Sequence, residues 1–394
     1  MLLCQLTIVF AQGHLNATKL NDFEKYLQNE INTGQIGGIE VLISQQNEIV
    51  WHKTLGYSNA IKKTPLEENS IYYLQSMTKP IISVAIMQLV EKGLINLEDK
   101  AKKYVPELAD LKVIIDENNG IDSPTVERES DITIHQLLTH TAGFSHGLGE
   151  TKFDKELFKL MYNELFDPAD HVKLEERLAG LFSVPLIGQP GEKWHYSASP
   201  DVLALILQRV SKQPINDYLN THIFTPLEMN ETGYNVPEKE TNRVMLVHMP
   251  DQNGALTLSP LQVPLQGNTV YGGTHGLFSS MKDYLRFCQM LLNGGALGGQ
   301  RVLNPETVKM MQQNQVGERI GLTRGFGYGF GVLYNTDDDP SPANSGQFYW
   351  GGFFKTHFFI DPKAELIAIL MTQKFPNSEE YIVALNRAVY GALE

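Results

Sequence analysis

The sequence predicts an α+β fold: one antiparallel sheet built from both termini, helices packed on it, and a helical domain inserted between the two halves. Strand-like runs stand near the two ends, at residues 39–44 and 49–54 and again at 328–334, 348–350, 353–360 and 366–372. The long middle carries apolar residues at helical spacing instead. No repeat, low-complexity tract or obvious linker interrupts the 394 residues, and 42% hydrophobic composition gives ample core. The expected division is an α/β lobe of residues 19–74 plus 325–394 and a mainly helical lobe of residues 75–324. A functional cleft is expected between them.

Taken in order, Leu20, Phe23, Leu27 and Ile31 recur at helical spacing and end before Gly34. Two strands follow, joined by a polar turn at residues 45–48. Residues 81–90 are apolar on nearly every face, which predicts a buried helix, stopped at Gly93 by a left-handed cap. A polar connection and an acidic loop at residues 116–131 precede a helical stretch at 132–139. Residues 153–182, 202–210 and 216–224 read as helices, and residues 237–267 as long loops. Asn304 and Pro305 supply an N-cap and an N1 proline for another helix. Asp337, Asp338 and Asp339 read as a solvated hairpin tip. Residues 379–393 close the chain as a helix.

The chemistry concentrates at Leu74-Gln75-Ser76-Met77-Thr78-Lys79-Pro80, at the mouth of the buried helix. One helical turn puts Ser76 and Lys79 on the same face. A buried amine sheds its proton near neutral pH and can then take one from a serine hydroxyl. The Ser-x-x-Lys pattern also occurs as Ser279-Ser280-Met281-Lys282. There a serine serves as N-cap, and the helix carries Lys282, Asp283 and Arg286 on a polar side, so Lys282 is expected in solvent. A third candidate, Gly143-Phe144-Ser145-His146-Gly147, fits the nucleophile elbow. It follows a helical stretch rather than a strand, so Ser145 is expected to be a loop residue.

The formal net charge of −13 argues against non-specific binding to nucleic acid or anionic membranes. Residues 1–13 form an apolar leader too short to span a bilayer but fit for the core of a secretory signal, although no basic residue precedes Lys19. Export to the periplasm or medium is the expectation, with a cytoplasmic location as the alternative. Cys4 and Cys288 offer no disulfide framework, and Cys288 reads as a small core residue. The histidines show no metal-ligand spacing, and neither metal nor cofactor is expected.

With these motifs in place, the chain resembles class C serine β-lactamases, penicillin-binding peptidases and, most closely, the family VIII carboxylesterases. The resemblance runs from about Leu20 onward. It rests on Ser76-Met77-Thr78-Lys79, Leu137-Leu138-Thr139-His140-Thr141-Ala142-Gly143, residues 272–277 and Asp283-Tyr284-Leu285-Arg286-Phe287. It implies a β-lactamase/transpeptidase-like fold and a nucleophile at Ser76. Lys79 and Tyr196 would act as the proton-moving pair. Tyr196-Ser197-Ala198 stands for the family's Tyr-x-Asn, so Ala198 replaces an amide that helps hold lactam substrates. Trp350-Gly351-Gly352 stands for Lys-Thr-Gly: Trp350 replaces the lysine that meets a substrate carboxylate, and Gly351 and Gly352 let substrate lie against the strand. Backbone N–H groups of Ser76 and Phe353 would form the oxyanion hole. Lys355-Thr356-His357 is a second Lys-Thr copy, read as lying in the next strand.

The function expected is a serine hydrolase, a carboxylesterase that cleaves small, short-chain acyl esters through an acyl-enzyme. A β-lactamase or D-amino-acid peptidase/transacylase of the same fold is the rival of the same class. A penicillin-binding-type sensor without turnover is the rival of another class. Neither oligomeric state nor physiological substrate follows from the sequence.

Overall fold

Strand β1, Gly38–Gln45, is buried along its whole length, as a strand covered on both faces must be. It turns into β2, Glu48–Asn59, through Gln46 and Asn47, both with positive φ. That is the primed two-residue turn matching the twist of a hairpin. The computed structural model describes residues 14–162, 173–335 and 341–394. The apolar leader with Cys4, and the acidic tip Asp337, Asp338 and Asp339, lie outside the described residues.

The chain's two ends build one eight-stranded antiparallel sheet. After β3, Thr64–Pro65, its strands are β4 Arg324–Phe326, β5 Gly331–Leu333, β6 Phe348–Gly351, β7 His357–Asp361 and β8 Leu366–Met371. The spatial order is β4-β5-β6-β7-β8-β1-β2-β3, so the C-terminal β8 pairs directly with the N-terminal β1, with Leu42 opposite Ile369. Side chains alternate between faces with period two. Ile39, Val41, Ile43, Leu366, Ala368 and Leu370 pack under α1, Asn21–Asn32, and the C-terminal helix Glu380–Ala392. Leu42, Phe348, Phe358, Ile367 and Ile369 face the opposite way, into the core of the inserted residues.

Among the inserted helices are α2 Thr78–Glu91, α3 Ile134–Leu138, α4 Lys152–Met161, α5 Leu174–Phe182, α6 Ser199–Ser211, α7 Ile215–Leu219, α8 Met281–Leu292 and α9 Pro305–Met311. The C-terminal helix is α10. Every residue of α2 from Thr78 to Leu89 is buried, as its apolar surface requires. Each large apolar side chain there contributes about 1.5–3 kcal/mol. Gly93 ends it with φ +66°.

Several expectations need correction. Residues 353–360 are not one strand. The chain reverses between Gly352 and Thr356, with Lys355 at φ +71°, and β7 starts at His357. A Cβ on Gly352 would stand 2.4 Å from the Leu74 carbonyl oxygen, so the strand stops where it meets the Ser76 turn. Residues 328–334 hold a strand only at 331–333, whose hairpin partner β4 lies before them. Residues 237–267 contain the hairpin His248–Pro250 and Leu256–Leu258. Asp283, read as part of the polar side of its helix, is buried, accepting hydrogen bonds from the Glu231 N–H (2.7 Å) and the Thr232 hydroxyl (3.0 Å).

β5 lies beside β6 at Phe348 and Tyr349, and its Leu333 N–H bonds the Gln347 carbonyl at 2.9 Å. The edge beyond, Trp350 to Gly352, borders the cavity described next.

Candidate active site

Ser76 lies in a single 3₁₀ turn, Gln75–Met77, that feeds into α2. The preceding residue, Gln75, has φ +52°, a conformation that costs a non-glycine residue about 1–3 kcal/mol and clusters at functional sites. Ser76 Oγ meets two side chains: Lys79 Nζ at 3.0 Å and the Tyr196 phenol at 2.8 Å. Lys79 Nζ also donates to the Thr274 carbonyl at 2.9 Å and lies 4.6 Å from the centre of the Tyr196 ring.

Lys79 is 1% exposed. Burial pulls its ammonium down to about 7, against the opposing charge of Asp201. Burial pushes the Tyr196 phenol up, outweighing the Ser76 hydroxyl that favours its ionised form. Near neutral pH a sizeable fraction of Lys79 is therefore a free amine, while Tyr196 keeps its proton. One group can take a proton from Ser76 Oγ and the other can give one.

Tyr196 is held from behind by His140. The His140 ring lies 5.0 Å from the Tyr196 ring, and its Nδ1 accepts from the Ser197 N–H at 3.2 Å. Burial keeps that imidazole neutral by pushing its pKa well down. On the other side the Trp350 ring lies 5.5 Å from Tyr196 and edge-on to Phe326 at 5.1 Å. The cavity encloses about 540 Å³, within the usual range of small-molecule sites. Ser76, Lys79, Tyr196, Trp350, Gly351, Gly352 and Phe353 all line it.

Ala198 does not belong with them. It is fully buried as the N-cap residue of α6, its N–H bonded to the Ser145 carbonyl at 3.2 Å, and it is absent from the cavity wall. His146, Tyr162, Thr274 and His275 line the cavity too. None of these four is singled out as a contact by residue type and spacing. Lys355, Thr356 and His357 also reach the wall, with Lys355 Nζ paired to Glu379 at 3.1 Å.

The other serines are occupied elsewhere. Ser145 is buried and donates to Asp154, while accepting from the Gly147 N–H at 3.0 Å. Ser279 bonds the Thr232 hydroxyl at 2.7 Å, and Ser280 caps α8 by accepting from the Asp283 N–H.

A family model described as Beta-lactamase matches residues 23–391. The chain belongs to the beta-lactamase family. Within that family the chain is 29% identical over 383 residues to Esterase EstB of Burkholderia gladioli, covering 90% of each chain. It is 28% identical over 374 residues to the lovastatin esterase of Penicillium rubens, covering 87% of this chain and 90% of that one. Its fold overlays that of EstCE1, described as a hydrolase with promiscuous acyltransferase activity, with a TM-score of 0.84 at 24% identity. That overlay covers 95% of this chain and 99% of that one. This beta-lactamase-family enzyme is a serine hydrolase on an α+β fold. Among its described residues no helix is long and apolar enough to cross a membrane.

Proposed function

We propose that the protein is a carboxylesterase that cleaves small, short-chain acyl esters through an acyl-enzyme on Ser76. The observation that carries this reading is the Ser76 hydroxyl clasped by Lys79 and Tyr196, in a cavity whose strand edge presents Trp350. Neutral Lys79 takes the proton as Ser76 Oγ bonds to the ester carbonyl carbon. The carbonyl oxygen becomes an oxyanion facing the backbone N–H groups of Ser76 and Phe353. On collapse the carbon–alkoxy bond breaks and the leaving alkoxide takes the Tyr196 proton, which the Lys79 ammonium replaces. Water then adds to the acyl carbon, giving its proton back through Tyr196 and Lys79. The carbon–Oγ bond breaks, the acid leaves and Ser76 regains its proton.

The relatives named esterases support this reading, and so does Trp350, which offers no charge to a lactam or peptide carboxylate. One purified sample assayed against nitrophenyl butyrate, nitrocefin and a D-alanyl peptide tests it. Repeated turnover of the butyrate ester is expected. A stoichiometric burst without further product would instead indicate a sensor, and preference for nitrocefin or the peptide would indicate a lactamase or peptidase.

A further inference from the structure

We propose that Asp201 is a positioning residue for Lys79, holding the backbone carbonyl that orients the amine and supplying the carboxylate behind it. The proposal rests on the reading of Lys79 as the base for Ser76.

Asp201 stands in the first turn of α6, a helix otherwise apolar through residues 202–207, and it is fully buried. Its Oδ1 accepts two backbone N–H groups, from Gly273 and Thr274, each at 2.7 Å. Its Oδ2 accepts Nη2 of the buried Arg177 on α5 at 2.8 Å. The Thr274 peptide whose N–H is gripped in this way is followed at once by the carbonyl that receives Lys79 Nζ at 2.9 Å. A second bond, from the Tyr234 hydroxyl to the Gly272 carbonyl at 2.6 Å, holds the same loop.

The glycines before Thr274 fit this arrangement. A Cβ at Gly273 would stand 1.9 Å from the Pro200 carbonyl oxygen, and one at Gly272 would stand 2.1 Å from Arg177 Nη2. Only a chain without side chains there approaches α6 closely enough for Asp201 to reach two consecutive N–H groups.

Among the described groups facing Lys79, Asp201 is the one that carries negative charge. From the loop between α3 and α4 come His140 and His146, from the 272–276 loop His275, all held neutral by burial that lowers their pKa. Tyr196 and Tyr162 keep their protons because burial pushes them up. Arg177 faces Asp201 among Tyr73, Tyr162 and Tyr234. Asp201 is the carboxylate that opposes the burial of Lys79.

A buried Asp–Arg pair that served only to join α5 and α6 could be replaced by an uncharged pair at little cost. A carboxylate aimed at Lys79 through one peptide leaves a different trace, in the pH profile. The test is kcat/KM for nitrophenyl butyrate from about pH 5 to about pH 9 in wild type, Asp201→Asn and Asp201→Asn/Arg177→Met. The double variant avoids stranding the arginine should the single one fail to fold.

In wild type the acidic limb should fall near pH 7, where Lys79 takes up its proton. Removing the carboxylate favours the neutral amine, so in Asp201→Asn the limb should move down by about half to one pH unit, and in the double variant it should move the same way but less, because the Arg177 cation leaves with it. The plateau should fall about tenfold, because the base is weaker and less firmly held. A lowered plateau with the limb unmoved would assign Asp201 to structure alone. Fluorophosphonate labelling separates the two levels. Failure to label Ser76 in the wild type overturns the esterase reading and this proposal together, whereas labelling with unshifted limbs overturns only this one.

Discussion

Lys79 and Lys282 each follow a serine by three residues at the mouth of a helix; Lys79 is 1% exposed and Lys282 lies in solvent. Ser76 Oγ has an amine and a phenol as partners, whereas Ser279 bonds Thr232 and Ser280 caps its helix. The difference arises in the helices behind the two motifs. α2 is buried from Thr78 to Leu89 against α6, the 272–277 loop and Tyr284 of α8, so the first turn carries its lysine into the core. α8 packs through Tyr284, Leu285, Phe287 and Cys288, and leaves Lys282 on its outer side. A spacing of three residues brings a hydroxyl and an amine together, but burial is what makes the amine a base.

The sharpest way to break this comparison is at the serines. Ser76→Ala should lower ester kcat/KM by more than about a thousandfold and abolish fluorophosphonate labelling. Ser279→Ala should retain both. An adduct found on Ser279 or Ser145 by tandem mass spectrometry would reverse the assignment.

Next come the lysines. Lys79→Met should lose about 10²–10⁴-fold in kcat/KM, the usual worth of a general base, while Lys282→Met stays near wild type. The wild-type pH profile carries the sign. Below about pH 7 Lys79 is an ammonium and cannot accept the Ser76 proton, so the rate should fall with acid. A flat profile from about pH 5 to about pH 8 would count against Lys79 as base.

A smaller effect separates this site from lactam enzymes. A charge-assisted bond to a substrate carboxylate is worth about 1.5–3 kcal/mol, and Trp350 supplies none. Transition-state binding of an anionic lactam should therefore suffer by about ten- to a hundredfold relative to an enzyme with lysine there. The Ala198 side chain lies outside the cavity and makes no contact that would offset that loss. Nitrocefin should be cleaved slowly and nitrophenyl butyrate well. A higher kcat/KM for nitrocefin would mean that another cation, such as Lys355 on the cavity wall, meets the carboxylate.

The smallest catalytic effect is expected at the third serine. Ser145→Ala removes a buried donor to Asp154, which keeps the Thr151 hydroxyl at 2.6 Å. Thermal or urea unfolding should show a loss of about 1–2 kcal/mol, with kcat/KM changed less than about threefold. A catalytic collapse without loss of stability would make Ser145 more than a brace for its loop.

The periodicities were readable because each lives in one segment. The apolar surface of residues 81–90 demanded a buried helix, and the turn at residues 45–48 demanded a hairpin. Strand runs at both ends implied a sheet shared by the termini, which β1 and β8 form. The pairing of Ser76 with Lys79 is likewise local, one helical turn. Asp201 left a legible signal, a lone acid opening an apolar helix, but nothing nearby in the chain names its partners at Arg177, Gly273 and Thr274.

What the tertiary structure decided are the properties set by distant residues. Phe353 and Phe354 have strong strand propensity, yet the strand ends there because Gly352 runs against the Leu74 carbonyl, nearly three hundred positions away in the chain. The polar side assigned to α8 lost Asp283 to the N–H of Glu231 and the hydroxyl of Thr232. Ala198 was expected to border substrate, and the start of α6 buries it instead. The residues of the Ser76 site are written in order along the chain. The free amine among them is not, because the desolvation of Lys79 comes from α6, the 272–276 loop and Tyr196 closing around it only in the folded protein.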